Sequence, residues 1–170
     1  MTLTALLMHL LAEGHQVSCI SYNYGQKHAV ELERASENIA YLKSKGYLVE
    51  HKIADLSSTM GLFHSALTTD DYDVPEGHYE EDQMKQTVVP NRNAIFASIL
   101  YGYALSTSIR EDGDVIIALG VHSGDHEIYP DCRPEFYEAL GKAFHIGNWD
   151  SNRVSFHLPQ GSLLLANDKQ

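Results

Sequence analysis

Segments with helical spacing alternate with short apolar segments along the first 54 residues of the chain, and this alternation constrains the fold most. The segments are a helix over 2–13, a strand over 17–22, a helix over 27–45 and a strand over 47–54. Gly14 and Gly46 follow the two helices and supply their ends. Two strands joined by a crossover helix usually lie parallel in one sheet. The sequence therefore predicts an α/β fold with a parallel sheet.

The second half of the chain continues this alternation after an irregular, acidic segment. Residues 55–90 predict a long loop, which is interpreted either as a solvated excursion or as a lid. The helix predicted over 93–109 is apolar on nearly every face, so we expect it to be buried. The remaining elements are a fully buried strand over 115–119, a helix over 136–144 and a last strand over 154–158.

Composition narrows the classes of protein that the chain can represent. With 170 residues, 44% of them apolar, the chain fits one globular domain with its own core. The net charge of −11 would repel a phosphate backbone, which argues against direct nucleic-acid binding. Cys19 and Cys132 form no CxxC pair, and no apolar run reaches the roughly 20 residues of a membrane span. A signal peptide is not indicated either, so we expect a cytoplasmic protein with no membrane partner.

A loop crowded with titratable residues, 120–136, follows the predicted strand over 115–119. Open α/β sheets bind their ligands at the carboxyl ends of strands, where this loop begins. Asp125 and Asp131 are candidates for hydrogen bonds to a polar ligand, and Arg133 is expected to pair with one of them. Two prolines restrict the backbone of the loop, which suits a preorganised site. The loop therefore predicts a binding site.

The same loop permits two other interpretations. His122 and His126 have the i, i+4 spacing of a zinc-binding helix, but Gly124 and the loop context argue against a helix, and no third ligand is evident. Cys132 is a candidate nucleophile, but no motif supplies a base that would activate it. Binding of a polar ligand is therefore preferred, and no metal ligand is predicted.

Residues 22–28, Tyr-Asn-Tyr-Gly-Gln-Lys-His, connect a predicted strand to a predicted helix. Gly25 permits a tight turn, and the three residues after it fall at a helix N-terminus, where backbone N–H groups attract anions. The segment is interpreted either as the rim of a nucleotide or substrate site or as an ordinary turn between a strand and a helix.

Residues 87–93, Thr-Val-Val-Pro-Asn-Arg-Asn, lead into the apolar helix. Asn91 is a candidate N-cap. Arg92 then places a cation at the positive end of a helix, which is unfavourable by about 0.3–1 kcal/mol. A bound anion would reverse the sign, because the arginine and the helix end would both attract it. The alternative is a salt bridge between Arg92 and one of the many acidic residues.

Three segments together resemble the 7-cyano-7-deazaguanine synthase family of queuosine-precursor biosynthesis. They are residues 24–28 (Tyr-Gly-Gln-Lys-His), 89–93 (Val-Pro-Asn-Arg-Asn), and Gly120 through the run 129–136 (Tyr-Pro-Asp-Cys-Arg-Pro-Glu-Phe). The resemblance implies a doubly wound parallel sheet of the ATP-pyrophosphatase (adenine nucleotide α-hydrolase-like) type, apparently incomplete at both ends. It assigns residues 1–159 to this domain and leaves 160–170 as a tail outside the family. A homodimer is expected.

The family converts 7-carboxy-7-deazaguanine, ammonia and ATP into the nitrile, with Mg²⁺ expected beside the ATP. ATP activates the carboxylate, because a carboxylate oxygen leaves poorly until it is joined to a phosphoryl or adenylyl group. The nucleotide-binding residues that the resemblance implies are Tyr24, Gln26, His28, Arg92 and Asn93. The implied substrate-binding residues are His122, Asp125, Tyr129, Asp131 and Arg133. The resemblance assigns no catalytic residue.

Two parts of the family pattern have no counterpart in this sequence. The family begins with a strand and a Ser-Gly-Gly-x-Asp-Ser loop that holds the ATP phosphates, and Met1–Thr4 stands where that loop should end. The family also binds structural zinc through a C-terminal cysteine cluster, whose cysteines are absent here. We therefore expect impaired catalysis by this chain as written. The alternatives are a non-catalytic deazapurine-binding module and a related amide-forming ligase that acts on another carboxylate.

Overall fold

A computed structural model of the chain describes residues 3–26, 30–63, 88–119 and 129–157. The chain divides into two units, which we call the first unit (residues 9–92) and the second unit (residues 1–8 and 93–170). Each unit contains its own pair of parallel strands.

Apart from one added short helix at the end, the elements of the first unit follow the order that the sequence predicts. They are the end of α1 (Leu3–Ala12), then β1 (Val17–Asn23), α2 (Val30–Ser44), β2 (Val49–Asp55) and α3 (Ser57–Met60). Gly14 has a left-handed backbone with φ of +85°, and the next residue, His15, donates its N–H to the Leu10 carbonyl at 3.1 Å. The same arrangement follows α2 at Gly46. Both predicted helix ends are confirmed, because glycine adopts this backbone without a steric penalty.

Strands β1 and β2 lie parallel and in register over their whole length. Val17 lies beside Val49 at one end, and Asn23 lies beside Asp55 at the other. Helix α2 contacts both strands, as a crossover helix does. The buried apolar side chains of α2 and β2 are Ile39, Leu42 and Val49. Because the carboxyl ends of both strands meet at one edge, the residues that follow them lie close together.

The elements of the second unit also follow the predicted order. They are α4 (Arg92–Glu111), β3 (Val115–Ala118), a 3₁₀ turn (Pro130–Cys132), α5 (Pro134–Gly147), a second 3₁₀ turn (Ser151–Arg153) and β4 (Val154–His157), with Arg92 itself the last residue of the first unit. Strands β3 and β4 lie parallel, with Val115 beside Val154. The core of this unit contains Tyr101, Ala104, Ile117 and Phe156. The Tyr101 ring stacks on Phe144 at 4.5 Å between centroids.

Helix α4 buries one stripe of side chains, whereas the sequence predicts burial on nearly every face. The buried residues are Ala97, Tyr101, Ala104 and Ser108, which recur at helical intervals. Ser98 and Gly102 lie on other faces and are exposed. The predicted burial is therefore confirmed in part, because a helix that borders a core buries fully only the face it turns to that core.

Strand β3 is buried on one face, whereas the sequence predicts a fully buried strand. Ile117 is 3% exposed, but its neighbour Ile116 is 58% exposed. Successive side chains of a strand point to opposite faces of the sheet, so a continuous apolar run supplies both faces. Among the described residues, the core of the second unit covers the Ile117 face.

Residues 57–60 form a helix at the start of the segment that the sequence predicts to be irregular. The Asp55 carboxylate accepts hydrogen bonds from the Ser57 N–H and hydroxyl, which stabilises the first turn of α3. Met60 is fully buried and anchors the other end of the helix. Residues 64–87, the greater part of the predicted loop, lie outside the described residues.

The α/β class and the parallel pairing of strands are therefore confirmed. Within the described ranges the strands form two separate pairs, β1 with β2 and β3 with β4, so one continuous doubly wound sheet remains a prediction. No helix in the described parts of the chain is both long enough and apolar enough to cross a membrane.

Candidate functional site

The turn that follows β1 is held by the side chain of Gln26. Its Oε1 accepts the Tyr24 N–H at 2.9 Å, and its Nε2 donates to the Tyr22 carbonyl at 3.3 Å. Gly25 has φ of +79°, and its N–H reaches Oδ1 of Asn23 at 3.4 Å. The predicted tight turn at Gly25 is confirmed. The Gln26 amide hydrogen-bonds to the Tyr24 N–H and to the Tyr22 carbonyl, and so fixes where the Tyr24 side chain leaves the strand end.

A second turn carries Arg92 to the first position of α4. The Arg92 N–H donates to the Val89 carbonyl at 3.2 Å, with Pro90 and Asn91 between them. Asn91 has φ of +58°, and proline followed by a residue of positive φ is the signature of a type II turn. Val89 is buried and anchors the turn. The left-handed backbone of Asn91 argues against its predicted N-cap role, because an N-cap residue typically has an extended backbone.

Arg92 and Tyr24 contact each other within the first unit. The Arg92 guanidinium carbon lies 5.9 Å from the centre of the Tyr24 ring, near the outer limit of a cation–π interaction. Such a contact contributes about 0.5–1 kcal/mol at an exposed site. It therefore offsets much of the roughly 0.3–1 kcal/mol cost of a cation at a helix N-terminus. Arg92 is half-buried and begins α4, where an anion would meet the guanidinium and the helix end together.

Asp55 lies at the same strand edge and was missed by the sequence interpretation. It ends β2 beside Asn23 of β1. Its Oδ1 accepts the Ser57 N–H at 2.9 Å and the Ser57 hydroxyl at 2.6 Å. Those bonds, with a further one from Asn23, hold the pKa of Asp55 below its ordinary value. An acidic residue directly after a strand, as in Ile53-Ala54-Asp55, was the available sequence signal, because ligand hydroxyls are often bound there.

Burial makes two further groups of β1 harder to ionise. Burial raises the pKa of Tyr22 to about 12 and raises the pKa of the Cys19 thiol. Cys19 is half-buried on the strand and is in no disulfide bond. Both groups therefore behave as packing residues at neutral pH, in agreement with the interpretation of Cys19 as a small hydrophobic residue.

In the second unit, the motif residues 129–133 form a compact turn before α5. The Cys132 N–H donates to the Tyr129 carbonyl at 3.0 Å, and the Arg133 N–H donates to the Pro130 carbonyl at 3.3 Å. Pro134 is the first residue of α5, a position that suits proline because its missing N–H would have no partner there. The turn presents Asp131 and Cys132 half-buried and Arg133 exposed.

Asn93 contacts this turn through its side chain. Its Nδ2 donates a hydrogen bond to Sγ of Cys132 at 3.7 Å. The contact gives Cys132 a donor to its sulfur, and it identifies no base that would activate the thiol. It also gives Asn93 a role within the second unit that the sequence did not predict.

The structure brings some of the predicted site residues into contact. Tyr24, Gln26 and Arg92 cluster in the first unit, and Asn93 contacts the turn that carries Tyr129, Asp131 and Arg133 in the second. The predicted residues His28, His122 and Asp125 lie outside the described residues, as does His126. The pairing of Arg133 with an aspartate stays a prediction. Among the described residues, no group of three or more His, Cys, Asp or Glu side chains is arranged to hold a metal ion.

Comparisons with known proteins agree on one family. A family model described as "Queuosine biosynthesis protein QueC" matches residues 1–166. The 7-cyano-7-deazaguanine synthase of Pseudoalteromonas translucida is 44% identical over 149 residues, which are 88% of this chain and 64% of that protein. The synthase of Methanoregula boonei is 46% identical over 147 residues, or 86% and 63%. The chain thus spans less than two thirds of the length of these relatives.

Proposed function

The chain belongs to the QueC family of queuosine biosynthesis proteins, and we propose on this premise that it is a 7-cyano-7-deazaguanine synthase. The proposed reaction joins 7-carboxy-7-deazaguanine and ammonia at the expense of ATP. The observation that carries the proposal is the family match over residues 1–166, supported by relatives of 44% and 46% identity that bear this name. We extend the proposal to a doubly wound sheet of the ATP-pyrophosphatase type and to a cytoplasmic homodimer.

The nucleotide is proposed to bind at the carboxyl edge of β1 and β2 in the first unit. ATP, with Mg²⁺, supplies the phosphoryl or adenylyl group that turns a carboxylate oxygen into a leaving group. Arg92 at the first position of α4 fits a phosphate, because a guanidinium and helix N–H groups are both donors to anions. Asp55, held ionised by Ser57, is a matched acceptor for nucleotide hydroxyls. The nucleotide contacts that the family resemblance implies also include His28 and Asn93.

The deazapurine is proposed to bind at the motif turn of the second unit. Tyr129, Asp131 and Arg133 supply an aromatic ring, a carboxylate and a guanidinium within five residues. A deazapurine presents ring N–H groups, an exocyclic amine and a carbonyl, which suit these acceptors and donors. The carboxylate of the substrate suits the exposed Arg133. His122 and Asp125 are proposed as further substrate contacts.

The proposal is tested by following the reaction under single-turnover conditions. The chain is held in excess over 7-carboxy-7-deazaguanine with ATP, Mg²⁺ and ammonium, and mass spectrometry detects the amide and the nitrile. We expect ATP-dependent product from the chain. Arg92→Ala should form at least about tenfold less product, because a charge-assisted hydrogen bond to an anion is lost. The synthase of P. translucida is the positive control.

Calorimetry with 7-carboxy-7-deazaguanine separates the alternatives. Binding heat together with product supports the synthase. Binding heat without any amide or nitrile would favour the non-catalytic deazapurine-binding module. Product from another carboxylate alone would favour a related amide-forming ligase. The absence of both binding heat and product would contradict the proposal.

A further inference from the structure

We propose that Tyr24 is a positioning residue that acts on the nucleotide through Arg92. This inference rests on the proposed function, in which Arg92 binds phosphate. The sequence places Tyr24 among the nucleotide contacts themselves. The structure instead shows the face of its ring engaged by the Arg92 guanidinium at 5.9 Å.

The backbone at Tyr24 is itself fixed. The Gln26 amide bonds to the Tyr24 N–H with its oxygen and to the Tyr22 carbonyl with its nitrogen. Gly25 has a positive φ and turns the chain between Tyr24 and Gln26. These bonds fix the backbone at Tyr24, so the position of its ring depends only on the two torsions of the side chain.

Arg92 is the residue whose side chain the Tyr24 ring supports. Its backbone is set by the turn from Val89, but its side chain is long and rotamer-rich. The positive end of α4 repels the guanidinium when no anion is present. An aromatic face is a neutral surface that attracts the cation through the face of the guanidinium, whereas the N–H donors lie at its edge. Tyr24 thus reduces the side-chain entropy that Arg92 loses when an anion binds.

The test compares Tyr24→Phe with Tyr24→Leu, because phenylalanine keeps the aromatic face and leucine removes it. Tyr41→Leu is the matched control. Tyr41 carries the same kind of contact, with Lys45 at 5.2 Å, on the exposed side of α2. Circular dichroism is used to check that each variant is folded.

The first readout is the Nε–Hε resonance of Arg92 in ¹⁵N-labelled protein, which contains only five arginines. We expect an upfield ring-current shift that Tyr24→Phe retains, that Tyr24→Leu abolishes and that Tyr41→Leu does not alter. The second readout is the Kd for inorganic tripolyphosphate. We expect Tyr24→Leu to weaken it about fivefold, with Tyr24→Phe and Tyr41→Leu within about twofold of the unaltered chain.

The outcomes separate this inference from the proposed function. If Arg92→Ala weakens tripolyphosphate binding but Tyr24→Leu changes neither the resonance nor the Kd, the positioning role is refuted and the nucleotide site stands. If Tyr24→Phe weakens binding as much as Tyr24→Leu, the hydroxyl contacts the anion directly and the positioning role is also refuted. If Arg92→Ala binds tripolyphosphate as tightly as the unaltered chain, the proposed nucleotide site itself fails.

Discussion

The side-chain amide of Asn93 donates a hydrogen bond to the sulfur of Cys132, 3.7 Å away, and so joins the first turn of α4 to the 3₁₀ turn before α5. The two residues are far apart in the sequence and belong to two different motifs. Their contact holds the turn that carries Asp131 and Arg133 against a long helix of the same unit.

We expect Asn93→Ala to lower the free energy of unfolding by about 0.5–1.5 kcal/mol, because one hydrogen bond to a half-buried partner is lost. Urea denaturation measures this change. A double-mutant cycle with Cys132→Ala isolates the pair, and strict additivity of the two substitutions would show that the contact contributes nothing. Cys132→Ser keeps an acceptor and should cost less than Cys132→Ala.

Asn91 is predicted to tolerate glycine better than any β-branched residue. Its φ of +58° suits glycine, whereas a branched side chain meets a penalty of about 1–2 kcal/mol in that region. We expect Asn91→Gly to leave the Tm unchanged or raise it, and Asn91→Val to lower it. Ala40→Gly, in the interior of α2, is the control and should cost about 1 kcal/mol. An equal loss from Asn91→Gly would contradict the type II turn.

His51 is predicted to make stability depend on pH. Its Nε2 lies 2.8 Å from the Ser21 hydroxyl. Its Nδ1 lies 3.4 Å from Ser36, whose own proton goes to the Leu32 carbonyl. Ser36 can therefore only accept, which leaves the proton on Nδ1 and makes Nε2 the acceptor for Ser21. The cluster thus fits a neutral imidazole.

Burial, and then the charge of Lys43, lower the pKa of His51 below 6.5 in the folded protein. The unfolded chain therefore binds the proton more readily. The stabilisation is complete above pH 6.5 and is lost as the pH falls from there toward the folded pKa. We expect His51→Gln to flatten the slope of unfolding free energy against pH in this window. His9→Gln, at an exposed histidine, is the control; an unchanged slope in His51→Gln would rule the cluster out as its source.

The protein is predicted to become more stable when the hydroxyl of Tyr101 is removed. The oxygen is buried and has no hydrogen-bond partner among the described residues, while the ring stacks on Phe144. We expect Tyr101→Phe to raise the free energy of unfolding by about 1 kcal/mol, because an unpaired buried hydroxyl is no longer desolvated. Tyr101→Ala should cost about 3–5 kcal/mol through the lost ring. Destabilisation by Tyr101→Phe would reveal a partner for the hydroxyl.

The sequence by itself determined the features that depend on neighbouring residues. The helix ends at Gly14 and Gly46 and the turn at Gly25 follow from the backbone freedom of glycine, which is local. The parallel pairing of β1 with β2 follows from the order of strand, helix and strand, because a crossover connection leaves little choice. Local sequence was also sufficient to identify the three motifs, and the motifs identified the family.

Only the tertiary structure decided which faces are covered and which side chains meet. The exposure of Ile116 beside buried Ile117 depends on what packs on each face of β3, and apolar content does not report that. Asn91 was a cap by residue type but a turn residue by its backbone. The contact of Arg92 with Tyr24 joins two distant motifs through space. No pattern along the chain encodes such a distance, because it is set by packing between elements that local spacing does not relate.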